Sequence, residues 1–398
     1  MKFLHYFTLI GTLLLISCSN NKDGELSTIE IDGKQVPILK FNEIRDTISL
    51  NLTDIFNNVT YVKLETRNDN KLVRGKWSIG DKYIIGYIRG SGFFQFEANG
   101  KYIRKLANYG KGPLEVSSPS WTISKDESHI YIYDSLKPKN LLCIDLNSGS
   151  FQQNIPIALE GLLRNIELLN DSVLICAPII GTGKPAGSNY LFWQTLAGKL
   201  LKTIPARIIP SKVMIPSENL LYKVGDQFHY RPIFSDTVFL VNNFEIEPYL
   251  ILDANKSKNI PDYEIGSKLI NIFLDATDFI IIQIYEVTAK NIIGENTIGY
   301  ESLKKYFLFD KKNKRVYIIS QFINDLFGYE EDPISFADQS SSKKYIYLET
   351  ISLLKRIERL KTNPDIKVID RKRILDLETG TTENDNPILI TGTTNNLK

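Results

Sequence analysis

The sequence predicts an all-β chain folded as a six-bladed β-propeller with one short amphipathic helix near its C-terminus, and three observations carry that prediction. Pairs of apolar strand-like runs joined by tight turns recur about every 45 to 55 residues, a spacing within the range of propeller blades. Twenty Tyr and twenty Phe stand against two Met, and aromatic residues suit a pleated, half-buried surface. No long Pro-, Gly- or Ser-rich linker divides the chain after its first residues, so one domain is expected where the length alone would allow two or three.

The chain opens with Met1-Lys2-Phe3, continues through an apolar run from Phe7 to Ile16 and reaches Ser17-Cys18. A positive start, a short apolar stretch and a small residue before the cut describe a cleaved signal peptide over residues 1–17. A run of roughly 10 to 14 apolar residues is too short to span a bilayer, which needs about 20. Leu15-Ile16-Ser17-Cys18 resembles the lipobox of bacterial lipoproteins, which implies that the Cys18 thiol is acylated and becomes the new first residue. Residues 18–44 are expected as a flexible tether, polar at Ser19 to Glu25, and residues 45–398 as the propeller. Ser19 after the cysteine resembles the usual sorting signal for the outer membrane, with the periplasmic or surface side left open.

The blades follow in order. Lys82 to Tyr87 and Gly92 to Phe96 close on Asn99-Gly100, and Asn-Gly between apolar runs is a strong hairpin signal because both residues tolerate positive φ. The pattern returns as His129 to Asp134 with Asn140 to Asp145, and as Asp171 to Ile175 with Tyr190 to Trp193. Further copies are Gln227 to Tyr230 with Thr237 to Val241, and Phe279 to Gln283 with Lys305 to Asp310. A sixth pairs Tyr345 to Leu348 with Pro387 to Ile390. The ring must then close where its ends meet, and Thr60 to Leu64 is the early strand expected to join the sheet of the last residues. Between the last two runs, Ile351, Leu353, Leu354, Ile357 and Leu360 define the apolar face of a helix, with Lys355, Arg356, Arg359 and Lys361 largely opposite as a solvated face.

The stretch Tyr109 to Glu115, with Ile130-Tyr131-Ile132-Tyr133-Asp134 after it, resembles an NHL repeat, although Leu114-Glu115-Val116 replaces the usual Gly-Gln-Phe. More of the chain, about residues 45 to 390, resembles the six-bladed β-propeller lipoproteins common in Bacteroidota. That resemblance rests on Tyr61 to Thr66, on Tyr230 to Val238 and on Glu383 to Pro387. It implies fold and location and brings no catalytic set with it.

Chemistry is sparse. The net charge of +2 gives no electrostatic reason to expect nucleic acid. Beyond the signal, His129 and His229 are the histidines, and no zinc-binding, nucleophile-elbow or Walker-type motif is present. Cys143 and Cys176 sit in apolar runs and are expected as buried free thiols, a disulfide being the alternative. Gly181 to Gly187 is expected as a plain loop, Asp253 to Glu264 lacks the glycine an EF-hand loop requires, and Glu330-Glu331-Asp332 as a solvated run. No metal or cofactor is expected. Tyr230, Arg231 and Asp236 are the candidate ligand-binding residues, since an Arg beside an aromatic in a blade is able to grip a carboxylate or a sugar; an inter-blade structural role is the alternative. Thr47, Ser135, Ser172 and Thr237 each follow Asp and precede an aliphatic residue, which resembles the acceptor pattern of O-glycosylation in Bacteroidota, with Thr47 the best single candidate. The expected function is a monomeric, non-catalytic binding or scaffold module at the cell envelope for a glycan, peptide or protein partner. The alternative is a propeller lyase or hydrolase using channel Tyr, Arg and carboxylates.

Overall fold

The computed structural model describes residues 26–67, 72, 75–207, 220–232, 235–254, 265–294, 297–327, 329–330, 344–366, 368 and 370–394. The signal peptide, Cys18, the start of the tether and most of the Asp253 to Glu264 loop lie outside them, as do residues 331 and 332 of the acidic run.

The strands form six sheets, one for each expected blade. Blade 1 holds Lys76–Ile79, Tyr83–Ile88, Gly92–Glu97 and Tyr102–Tyr109, with the short parallel strand Glu115–Val116 at its edge. Blade 2 is Pro119–Ile123, His129–Asp134, Asn140–Asp145 and Phe151–Pro156. Blade 3 is Leu163–Asn170, Val173–Pro178, Asn189–Thr195 and Leu200–Pro205. Blade 4 contains Leu220–Val224, Gln227–Arg231, Thr237–Asn242 and Glu245–Asp253. Blade 5 contains Lys268–Asp275, Phe279–Gly294, Thr297–Asp310 and Arg315–Asn324. Blade 6 is Lys344–Leu348, Ile388–Thr394 and Phe56–Lys63, and each hairpin read from the sequence is a real pairing, from Ile84 with Phe96 in blade 1 to Tyr347 with Leu389 in blade 6.

Successive blades are glued by apolar side chains from their facing surfaces. Ile85 and Phe93 of blade 1 pack with Ile130 and Leu142 of blade 2, and Tyr133 and Leu141 of blade 2 with Leu174 and Phe192 of blade 3. The series runs on to Val62, Leu64 and Leu389 of blade 6, which pack with Trp77, Ile84 and Phe94 of blade 1. That last cluster closes the ring, and each fully buried Leu, Ile or Phe in it contributes about 1.5–3 kcal/mol.

Closure uses the expected early strand. Phe56–Lys63 pairs antiparallel with Ile388–Thr394, placing Val62 opposite Leu389 and Tyr61 opposite Ile390. Gly100, at φ +92°, comes so close to the Lys63 carbonyl that a Cβ there would collide with it, and its own carbonyl accepts the Glu65 N–H at 2.9 Å.

The N-terminal segment is built into the fold. Ser27–Ile31 and Lys34–Lys40 form a hairpin whose second strand runs parallel to the outer strand of blade 4, with Ile38 opposite Ile251. Thr47–Asn51 then adds in parallel to Arg315–Asn324 of blade 5. Residues 27–63 therefore lace the rims of blades 4, 5 and 6 in turn. This corrects the tether expected over residues 18–44, because Leu39 and Phe41 are buried in the core between blades 4 and 5.

Helix Thr350–Thr362 is present as expected, and Leu353, Ile357 and Leu360 are its buried stripe. Ile351 is 40% exposed, which corrects its place on the apolar face. It lies two residues, or about 200°, from Leu353 around the helix. On the basic face, Lys361 pairs with Glu378 and Arg356 lies over the Phe327 ring. Leu52–Ile55 and Arg371–Asp376 form shorter helices. Among the described residues no helix is long and apolar enough to cross a membrane.

Candidate functional site

The first strand of each of blades 1 to 5 lies nearest the ring axis, and their ends wall a cavity of 660 Å³. Its lining comes from residues 78–81, 121–125, 167–171, 223–226 and 275–277, with Thr394 from the closing blade. Five blades thus converge on one mouth.

The turn that leaves each of these inner strands carries an aspartate: Asp81, Asp126, Asp171, Asp226 and Asp278. Asp is favoured in turns because its side chain bonds nearby backbone. The ring geometry brings these turns together, so a local preference becomes a shared charge. Asp81, Asp171 and Asp226 reach the cavity wall with Glu127, Glu167 and Asp275, while Lys125 and Lys223 are the cations of the lining. Among the described residues, six carboxylates against two lysines mark this mouth as acidic on a chain whose net charge is +2.

Some of these carboxylates are bound into the fold. Glu127 accepts the N–H groups of Asp81, Lys82 and Tyr83 at 2.6, 3.0 and 2.9 Å, tying the tip of blade 2 to that of blade 1. Hydrogen bonds from Ser124 and Ser128 lower the Asp126 carboxyl to about 2. Glu167 is buried in the wall, where Thr122 donates to it at 3.2 Å. Beside it Trp121 Nε1 donates to Ser78 Oγ at 2.9 Å. Asp81, Asp171 and Asp226 remain exposed, with Lys223 3.9 Å from Asp226.

Asp275 is the buried anchor of the lining. Tyr222 Oη donates to its Oδ2 at 2.9 Å, His229 Nδ1 lies 2.9 Å from the same oxygen, and Lys311 Nζ donates to Oδ1 at 2.7 Å. Burial opposes its charge, but the Lys311 ammonium and the His229 hydrogen bond outweigh burial and hold the carboxyl below the ordinary range. The Lys311 ammonium is likewise disfavoured by burial and rescued by Asp275, so its pKa is raised. Tyr222 and His229 belong to blade 4, and Asp275 and Lys311 to blade 5 and its outer turn, so the cluster is a polar tie between blades. Among the described residues no group of three His, Cys, Asp or Glu is placed to hold a metal ion.

The three residues singled out for ligand binding are elsewhere. Tyr230 and Arg231 are enclosed at 0% and 2% exposure. Arg231 Nε donates to the Ser235 carbonyl at 2.9 Å and Nη1 to the Ile270 carbonyl of blade 5 at 2.7 Å. Its fork is thus spent on backbone between two blades. Asp236 is exposed, and its carbonyl accepts the Leu252 N–H at 2.7 Å. Of the hydroxyl residues, Thr47 and Ser172 are exposed, whereas Ser135 and Thr237 are half-buried. Cys143 and Cys176 are free and buried in the core between blades 2 and 3. The acidic mouth went unread in the sequence, although its signal was there: aspartates at 81, 126, 171, 226 and 278 stand in turns at blade spacing.

A family model described as a domain of unknown function (DUF4934) matches residues 34–393. Among curated proteins no match is found. Among solved structures the chain is similar to a Bacteroides fragilis protein described as exported, at a TM-score of 0.58 and 15% identity over 88% of this chain and 99% of that one. This is a likeness of fold. A slighter one, at a TM-score of 0.32 and 9% identity over 62% of this chain and 86% of the other, is to the β-propeller domain of Cps50 (Swd1) from Myceliophteria thermophila, and it carries no argument.

Proposed function

The chain belongs to the DUF4934 family, and on that premise we propose that it is an exported, non-catalytic binding module whose acidic channel mouth receives a positively charged segment of an envelope partner. The observation that carries this is the 660 Å³ cavity lined, among the described residues, by six carboxylates and two lysines at the convergence of five blades. A rigid ring costs little conformational entropy on binding, because its loops are already placed by the sheets. Like-signed charge around a concave mouth raises the local concentration of a ligand of opposite sign. A photoreactive residue in place of Asn170, exposed at the blade 3 tip, is expected to crosslink one partner in the native host. The same residue in place of Leu200, exposed on the outer strand of blade 3, is not. Equal crosslinking from both positions overturns the proposal.

Location is part of the same proposal. The lipobox-like Leu15 to Cys18 supports a lipid anchor on Cys18 and Ser19 its sorting to the outer membrane, and the Bacteroides fragilis neighbour described as exported supports export. Cys18→Ser is expected to abolish incorporation of labelled fatty acid, and unchanged labelling counts against the anchor. Fractionation to the inner membrane counts against the outer-membrane assignment.

A further inference from the structure

The innermost strand of blade 3 begins with a β-bulge. Leu163 pairs with Pro178 and Asn165 with Ala177, leaving Arg164 as the extra residue. Side chains alternate along a regular strand, yet Leu163 and Ile166, three residues apart, are both buried in the core between blades 2 and 3. The bulge therefore turns Arg164 and Asn165 together to the other side, the side on which Leu169 packs between blades 3 and 4. Bulges re-aim side chains in this way and concentrate near functional sites.

Both side chains are under-used. Arg164 is half-buried, and burial alone holds its guanidinium below its ordinary pKa. Among the described residues it makes no hydrogen bond, ion pair or ring contact. The neighbouring Asn165 Oδ1 is buried without a hydrogen-bond partner. Groups withdrawn from water and left unpaired are costly, so two of them side by side ask for a ligand. They stand six to seven residues from Asp171, about 20 Å along the strand at roughly 3.3 Å per residue, which sets them toward the end of the channel opposite the aspartate tips.

We propose that Arg164 and Asn165 form a second recognition site, for a carboxylate with a hydrogen-bond donor beside it. The guanidinium fork matches a carboxylate with two parallel N–H···O bonds, and Asn165 Oδ1 accepts the adjacent O–H or N–H. An acidic sugar offers that pair as a carboxylate near a ring hydroxyl, and a peptide C-terminus offers it as a carboxylate next to an amide N–H. The site is separate from the acidic mouth, so failure of either leaves the other standing.

Saturation-transfer NMR on the full chain tests it with glucuronate and N-acetylglycine as probes, and glucose and acetate as controls lacking the carboxylate or the donor. Transfer to glucuronate alone identifies a sugar site, and transfer to N-acetylglycine alone a peptide terminus; either supports the proposal. In Arg164→Ala and Asn165→Ala the signal is expected to fall at least fivefold, with Arg164→Lys retaining part of it. Removing an unpaired, half-buried cation is also expected to leave the melting temperature unchanged or raised. No transfer to either probe, transfer to glucose or acetate as strong as to the probes, equal signal in Arg164→Ala, or a melting temperature lowered by that variant overturns the site.

Discussion

Asn386 donates from Nδ2 to the carbonyl of Glu65 at 2.8 Å, across 321 residues of chain. Its Oδ1 accepts the Leu72 N–H at 2.8 Å, and its own N–H donates to Thr66 Oγ1 at 2.7 Å. One buried amide thus latches the segment that follows Phe56–Lys63 to the turn that precedes Ile388–Thr394. The apolar contacts of Val62 and Leu389 supply the energy of closure, and Asn386 supplies the register.

Asn386→Ala is expected to destabilise the protein by about 1–3 kcal/mol for each buried partner left unsatisfied. Asn386→Asp keeps the volume but loses the donor to Glu65, and is expected to recover only part of the loss. Urea denaturation of the three proteins measures this, and a midpoint unchanged in Asn386→Ala contradicts the latch.

Two N-terminal truncations separate tether from fold. Removing everything before residue 26 leaves the lacing hairpin intact and is expected to leave the melting curve as it is. Removing everything before residue 45 takes away Leu39 and Phe41, at 0% and 5% exposure. Losing a buried Leu and Phe costs on the order of 5 kcal/mol or more together, so the curve should fall by many degrees.

That boundary shows what the sequence does and does not disclose. The middle strands of each blade, such as Ile130 to Asp134 with Leu141 to Asp145, were legible because four to six apolar residues ending in a turn describe a strand buried on both faces. The inner strands were not, since Pro119–Ile123 and Leu163–Asn170 mix polar channel residues with apolar ones and lose the alternation. Parallel pairing of Lys34–Lys40 with a strand beginning over 200 residues later leaves no local mark. Asp32-Gly33, both at positive φ between two strands, was nevertheless a readable hairpin turn. Arg231 was misplaced for a further reason: a guanidinium satisfied by backbone carbonyls looks in sequence like one waiting for a ligand.

Asp275 contributes to the acid limb of stability. Its depressed pKa means that the folded state favours the carboxylate, so the stabilisation is present above the unfolded value, near pH 4, and is lost as pH falls through the folded one. Asp275→Asn strands Lys311 and His229 without their anion and is expected to cost roughly 3–5 kcal/mol at neutral pH. Its stability should also depend less on pH below about 4 than that of the unchanged protein. Parallel pH profiles contradict the assignment.

Neither free thiol is poised to react. Burial pushes up the pKa of both Cys143 and Cys176, and a thiol without thiolate character is a poor nucleophile. Ellman's reagent at pH 8 is expected to titrate neither in the native mature protein and both in denaturant. Rapid native labelling would show that the core between blades 2 and 3 opens readily.

As a receptor for positive charge, the aspartate-rimmed mouth is tested most directly by calorimetric titration with decalysine. Decalysine is expected to bind one site per chain, more weakly as salt rises, while decaglutamate does not bind. Each exposed pair is worth about 0.2–1 kcal/mol, so Asp81→Asn, Asp171→Asn and Asp226→Asn combined should weaken binding by about threefold to a hundredfold with an unchanged melting temperature. Binding of decalysine that the triple variant leaves intact, or binding of decaglutamate as strong as that of decalysine, would contradict it.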